Sequence, residues 1–251
     1  MANAIITYTN VADTGTLLAS TSALLLPVSN IQVPHIARKW RGNNGSSDFV
    51  ILDLGTPQNI DTVAVLGITG TQIRIRLSSV DATGAAGDLF DNGTVAVDQG
   101  YLSSILLLPS PVSCRYLRFD VTTSGTFVEI GRLFAGLQTQ FAYNYTAGWQ
   151  RTWVDLSTRT KTLSGQSLIF QRPAYRTYDV SFDFLKENDR DGFVEDIDRI
   201  NAMKTDVLFI QNPISSNLSR DSVWGLMTAL TPVVQPYTGI FTKQYQIEER
   251  L

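Results

Sequence analysis

The sequence is short of the side chains that carry most enzymatic chemistry. Among 251 residues there is one cysteine, Cys114, and one histidine, His35. A lone cysteine closes no intrachain disulfide, so the chain is expected in a compartment where its thiol stays free. The four Cys or His ligands of a structural zinc are missing, and a Ser-His-Asp or Cys-His pair would depend on His35 alone. No metal and no cofactor is expected. No apolar run approaches the roughly 20 residues that cross a bilayer, so membrane insertion is not expected. The stretch "TLLASTSALLLPV" (16–28) is as hydrophobic as a signal-peptide core, but the first basic residue is Arg38, so a signal peptide is not expected either. Charge of one sign is also lacking. Lys and Arg number 20 against 23 Asp and Glu, and a net charge of −3 offers no general attraction to nucleic acid or an anionic surface.

What the sequence does have is apolar content, at 43%, enough for a core in one large or two modest domains. From residue 49 to 136 it runs as short β-rich segments between turn residues: "FVILDL", "TVAVLGI", "QIRIRLS", "TVAVD", "SSILLLP", "RYLRFDV" and "FVEIGRLF". This spacing predicts an antiparallel sandwich. In "QIRIRLS", Ile73, Ile75 and Leu77 share one face and Arg74 and Arg76 the other. A Pro-Gln-Asn turn at residues 57–59 is expected to separate two strands, and Asn92-Gly93 supplies the positive φ angles of a hairpin turn. Residues 81–90 read as a flexible loop, and residues 1–48 as irregular coil wrapping the sandwich.

Past residue 137 the texture changes. "RTYDVSFDFL" predicts a strand with Tyr178, Val180, Phe182 and Phe184 on one face. One helix is predicted over about 188–204. Its apolar stripe is Phe193, Ile197, Ile200 and Met203, and Asn188, Asp189 and Asp191 suit its start. Strands follow to the end of the chain. The expected division is therefore 1–137 and 138–251.

Few residues qualify as a site. "ENDRDGFVEDID" (187–198) partly matches a twelve-residue calcium loop, but Glu187 replaces the first Asp and Asp198 the last Glu, and a plain helix start explains the same residues. His35 lacks a second imidazole or a thiol pair to complete a constellation, and Cys114 reads as a small packing group. No acid pair suited to glycoside cleavage stands out, so no enzymatic role is expected. Arg38, Trp40 and Arg41 are candidates for a sugar or protein contact, with Asn43 and Asn44 in the adjoining loop, because an indole stacks on sugar faces and guanidinium groups bond hydroxyls and carboxylates. The alternative, preferred for the indole, is that Trp40 plugs the bottom of the sandwich.

Taken in order, "SNIQVPHIARKWRG", "FVILDLG", "IDTVAVLGI", "IRIRLS", "CRYLRFDV" and "FVEIGRLFAG" resemble the galactose-binding-like jelly roll of the discoidin and coagulation-factor type over residues 30–136. Asp53-Leu54-Gly55, Arg115 to Val121 and Glu129-Ile130 carry the match. The resemblance implies that the two runs flanking Pro57 are neighbouring core strands and that Asp53 fixes the loop beside them. It also implies a module that binds glycans or lipid head groups at one end, or serves only for docking.

The second half, with "YRTYDVSFDFL", one helix, "LFIQNP" and the ending "QIEERL", is similar in element order to the tail-tube and distal-tail proteins of long-tailed bacteriophages. That likeness implies a β-sandwich with one flanking helix and an all-β-dominated chain overall. It further implies a structural role in a tail tip or baseplate, in a virion made in the host bacterial cytoplasm. The implied partners are copies of itself in a ring and neighbouring tail-tube or hub proteins, with a host-surface glycan as the alternative.

Overall fold

The apolar runs become strands, but their pairing is set by partners far along the chain. The computed structural model describes residues 2–251. The strands up to residue 136 are β1 (Ile5–Thr7), β2 (Thr16–Ala19), β3 (Trp40–Arg41), β4 (Ser47–Leu66), β5 (Gln72–Ser78), β6 (Phe90–Ala96), β7 (Ser103–Thr122), β8 (Glu129–Ile130) and β9 (Arg132–Gly136). Then come β10 (Thr139–Gln140), β11 (Gln150–Val154), β12 (Thr158–Lys161), β13 (Ser167–Phe170), β14 (Tyr175–Leu185), β15 (Val207–Ile210), β16 (Ser222–Met227), β17 (Val234–Tyr237) and β18 (Ile240–Glu249). The chain is all-β apart from short helical turns and one helical segment.

The long strands β4 and β7 organise the first body. Residues 48–53 of β4 pair with residues 116–121 of β7, and 50–53 also with β2, whereas residues 62–66 pair with residues 103–107 of β7 and with β9. Between these halves the register slips, and both strands bend at a shared corner, as strands do when they pass from one layer of a sandwich to the next. Val50, Leu52, Val63, Val65, Ile73, Ile75, Leu77, Leu117, Phe119 and Leu133 fill the space enclosed.

The expected turn at Pro57 is therefore a bulge inside one strand, and the two flanking runs are successive halves of β4 rather than neighbours. Gly55, at φ +76°, makes the bend, and Asp53 Oδ1 accepts its N–H at 2.8 Å while pairing with Arg115. Asn92-Gly93 is likewise a bulge within β6 opposite β5, not a hairpin turn. The loop after residue 80 is tied down by Asp81, which accepts from Thr83 and from the Ala86 N–H.

The second body is an eight-stranded sheet in the order β10-β1-β15-β16-β18-β14-β11, with β17 on β18. The chain passes to it between Gly136 and Thr139, but β1 belongs to it as well: Ile5 and Thr7 pair with Ile210 and Leu208. Residues 5–7 are thus neither coil nor part of the first sandwich, because a place between β10 and β15 gives Ile5 and Ile6 partners on both sides and pairs Thr7 with Leu208.

One face of this sheet carries Tyr178, Val180, Phe182, Phe209, Tyr245 and Ile247 under the helical segment. Phe184 does not join them and is exposed, because a register shift between Phe182 and Leu185 turns Leu185 inward in its place. The helical segment spans Glu187–Asn201, breaks at Gly192 and continues in wide π-type turns. That rotation buries Val194 and Ile197, leaves Phe193 half-buried and exposes Ile200 and Met203, so the expected stripe holds only in part. No side chain caps its start. Asp189 accepts the Ala142 N–H and Asp191 pairs with Arg190.

The opposite face joins the two bodies. Ile5, Leu208, Ile210 and Trp224 pack on Ala64, Leu66 and Phe134, the outward side chains of β4 and β9 whose neighbours Val63, Val65, Leu133 and Ala135 point into the first core. Burial of a large apolar side chain contributes about 1.5–3 kcal/mol, and a seam this apolar holds the layers in register.

Candidate functional site

At one end of the first body three segments converge: residues 21–23, 40–44 and 127–129. β3 brings them together by pairing Trp40 with Ile130 and Arg41 with Glu129. The Gly42 N–H then donates to Val128 O and the Ala23 N–H to Arg41 O. Two buried carboxylates hold the loops from below.

Asp48 accepts from the hydroxyls of Ser20 and Thr21 and from both the backbone N–H and the Nδ2 of Asn44, the last at 2.8 Å. A Cβ at Gly42 would stand 2.2 Å from Asp48 Oδ2, so only glycine lets the loop close over this carboxylate. Glu129 accepts from Arg41 Nε at 2.8 Å, Thr69 Oγ1 at 2.8 Å and Lys39 Nζ at 3.1 Å. Burial raises its pKa, but the bonds from Arg41, Thr69 and Lys39 outweigh that and hold the carboxyl below its ordinary 4.5. The Arg41 guanidinium lies over the Phe127 ring at 4.0 Å.

This predicts a pH effect with a definite sign. A carboxyl with a lower pKa folded than unfolded adds stability that is complete above the ordinary value and fades as pH falls through the folded one. Thermal unfolding followed from pH 6 downwards should therefore lose stability below about 4.5, and Glu129→Gln, which cannot hold both cations, should flatten that dependence. An identical profile in the variant would show that Glu129 does not clamp the loops.

The sequence candidates separate into three groups. Arg41, Asn43 and Asn44 come together on this end; Asn43 Nδ2 donates to Ser22 O at 3.1 Å, and both asparagines are exposed. Trp40 is fully buried and donates Nε1 to Thr21 O at 2.9 Å and to Ser22 Oγ at 3.0 Å. It plugs the core, so as a ligand contact it is corrected: no face is open to a sugar. Arg38 is exposed in the preceding turn, where its N–H donates to His35 O, and no contact ties its side chain to the asparagines.

Sequence reasoning missed Glu129, Lys39, Thr69 and Phe127 as members of the cluster. Glu129-Ile130 carried only the fold resemblance, and no spacing signals that two cations from one segment and a hydroxyl from another meet on its carboxylate.

Elsewhere, His35 is exposed, and burial pushes the Cys114 thiol up to about 12, which leaves it a packing group. In the stretch tested as a calcium loop the carboxylates diverge: Glu187 and Asp191 both meet Arg190, and Asp198 meets Lys243 at 2.6 Å. Among the described residues no group of three or more His, Cys, Asp or Glu is placed to hold a metal ion.

No protein-family model matches the chain, and no curated protein matches it. Several solved structures are similar over about half of it. The lectin domain of lectinolysin complexed with Lewis B antigen is 12% identical, with a TM-score of 0.41 over 51% of this chain and 96% of that one. The family 32 CBM from C. perfringens NanJ in complex with galactose is 15% identical, with a TM-score of 0.43 over 51% of this chain and 98% of that one. A Streptococcus pneumoniae fucose binding module is 10% identical, with a TM-score of 0.41 over 51% of this chain and 94% of that one. At such identities and scores the likeness carries neither ligand nor role to this chain.

Proposed function

We propose that this protein is a noncatalytic recognition subunit whose first sandwich engages carbohydrate at its loop end, with the second sheet as its mount. The observation that carries the reading is the loop cluster itself. Exposed amides at Asn43 and Asn44 and the Arg41 guanidinium over Phe127 are presented on a frame fixed by Asp48 and Glu129. Amide and guanidinium groups bond sugar hydroxyls, an aromatic ring meets apolar sugar faces, and prefixed loops spare the binding entropy.

Galactose, fucose and Lewis B, the sugars named for the similar structures, are suitable probes. Asn43→Ala and Phe127→Ala should each weaken binding by about tenfold without moving the unfolding midpoint appreciably. A glycan array and calorimetric titration with no signal above background for the unmodified protein would remove the reading.

A second reading, a structural subunit of a bacteriophage tail tip or baseplate that joins copies of itself and tube or hub proteins, is favoured by a different observation. The β12–β13 hairpin pairs only with itself and is exposed along its whole length, including Leu163, Leu168, Ile169 and Phe170. An isolated two-stranded hairpin is marginal in water, and large apolar side chains concentrated on one mark an interaction surface. The expected result is self-association of the full chain at high concentration, abolished in Leu168→Asp/Phe170→Asp with the melting curve unchanged. A concentration-independent monomer in sedimentation velocity would exclude self-assembly through this hairpin.

A further inference from the structure

The β12–β13 hairpin is two-sided as well as unpaired. Arg159 lies opposite Ile169 and Lys161 opposite Ser167, whereas Phe170 lies opposite Thr158 and Leu168 opposite Thr160. Cross-strand partners share a face, so the cations stand on one side of the ribbon and Leu168 and Phe170 on the other. At its base Arg151 and Arg176 are paired, with Asp221 and Glu249. Arg159, Lys161 and Arg172 are exposed and meet no carboxylate among the described residues, and Asp155 is the one acid between residues 155 and 174.

The opposite end of β14 carries the reverse imbalance. Residues 187–198 hold six carboxylates and one cation, Arg190, which Glu187 and Asp191 share. Arg199 and Lys243 answer Asp196 and Asp198, while Glu195 is exposed and meets no cation among the described residues. Acids alone are an ordinary solvated face. Here they accompany Phe184, Ile200 and Met203, which are 56%, 44% and 51% exposed, and large apolar side chains left bare together mark a surface that is covered in use.

Within one molecule the two surfaces do not meet. The hairpin runs into β14 at Tyr175 and the helical segment starts beyond Leu185, and the 11 residues between, at about 3.3 Å each, put them roughly 30 Å apart. The Asp198–Lys243 pair, level with Phe182, holds the segment at that far end. An anionic lipid surface would also suit a basic, apolar ribbon, but it would leave the acidic, apolar end uncovered, whereas a second copy covers both.

We infer that the hairpin of one copy wedges into the acidic end of the next, with Arg159 and Lys161 against Glu187 and Glu195 and with Leu168 and Phe170 against Phe184, Ile200 and Met203. The inference rests on the self-assembly reading and names the surface that receives the hairpin. Because the two surfaces are unlike, the contact is head-to-tail, and its repetition closes as a ring or continues as a filament according to the rotation it sets.

Sedimentation velocity on the full chain tests it. Self-association should weaken by about threefold or more between roughly 0.05 and 0.5 M sodium chloride, where a purely apolar contact would hold or tighten. Arg159→Glu/Lys161→Glu and Glu187→Lys/Glu195→Lys should each weaken it by about tenfold or more with melting curves unchanged, because like charges then face each other. An equimolar mixture of the two variants should associate again, since each reversed surface meets its complement. Should the double helical variant fail to fold, Glu195→Lys, which breaks no ion pair, carries the test, with an expected loss of about threefold. Association indifferent to salt, or a mixture that stays dissociated, would overturn the inference. So would a helical variant that associates as the unmodified chain does; with Leu168→Asp/Phe170→Asp still monomeric, that result leaves the self-assembly reading standing. A monomeric unmodified chain would remove both, and if that monomer bound phosphatidylglycerol vesicles through Arg159 and Lys161, the basic face would belong to lipid.

Discussion

Trp40→Ala should cost about 3–5 kcal/mol of folding stability, the range for truncating a large aromatic in a packed core. The side chain is wholly buried among the residues of the first sandwich, and its backbone pairs with Ile130. It also supports the loop end from beneath, because its indole N–H is shared between Thr21 O and Ser22 Oγ. Truncation therefore removes packing and leaves the half-buried Thr21 carbonyl short of its donor.

Trp40→Phe separates the two contributions. It keeps an aromatic ring in the core but loses the donor and part of the indole volume, for an expected cost of about 1–3 kcal/mol. Urea unfolding should show the midpoint falling in that order with an unchanged slope. If Trp40→Ala were nearly neutral for stability yet abolished sugar binding, the indole would be a contact residue and its burial as a core plug would be wrong.

Asp13→Ala should be nearly as damaging, although Asp13 looks like an ordinary surface acid. Its side chain is 38% exposed, and substitutions at such positions usually change stability by less than about 0.5 kcal/mol. Its partner is Arg132, which is 2% exposed and bonds the Asp13 carboxylate through Nη1 and Nη2 at 2.5 and 2.7 Å. Removing the acid leaves the guanidinium in the seam with Ile31 O at 3.3 Å and the Trp224 ring at 5.3 Å, and with the Asp206 carboxylate, already paired to Arg250, as the more distant counter-charge.

Breaking a buried pair from the side that leaves the buried charge costs about 3–5 kcal/mol. Arg132→Met should cost less, because Asp13 can return to water, and Asp13→Ala/Arg132→Met should recover much of the loss of the first substitution. Chemical denaturation of the three variants gives the coupling directly. Equal costs for the two single variants would mean that the buried side does not dominate.

Local alternation was readable wherever both faces of a strand had settled neighbours. "QIRIRLS" became β5 over the same seven residues, with Ile73, Ile75 and Leu77 buried, Arg74 on Asp91 and Arg76 on Asp120. Bulges were not readable, because a bulge is a mismatch between two strands and a single run contains only one of them. The bend after Asp53 depends on Cys114 and Tyr116 in β7, and the reversal of Phe184 and Leu185 depends on Phe241 in β18.

The same limit applies to the loop cluster. Arg41, Asn43 and Asn44 were visible as polar residues crowded beside an aromatic, whereas Asp48 and Glu129 became its supports only through chain crossings that no periodicity records. Trp40 shows the converse, since a tryptophan flanked by basic residues has the same local signature whether its ring faces solvent or the core.

The placement of β1 has a consequence for how the molecule is made. A ribosome releases Ile5–Thr7 well ahead of the strand that clasps it on one side, Val207–Ile210, which follows about 200 residues later, a wait of roughly 10–40 s at about 5–20 residues per second. The pairings of the first sandwich lie within residues 16–136 and can form during that interval, when β1 has only the two residues of β10 for a neighbour. A strand that precedes the first sandwich in the chain thus completes its pairing only after that sandwich is made, and manufacture and assembly run in opposite directions at this one strand.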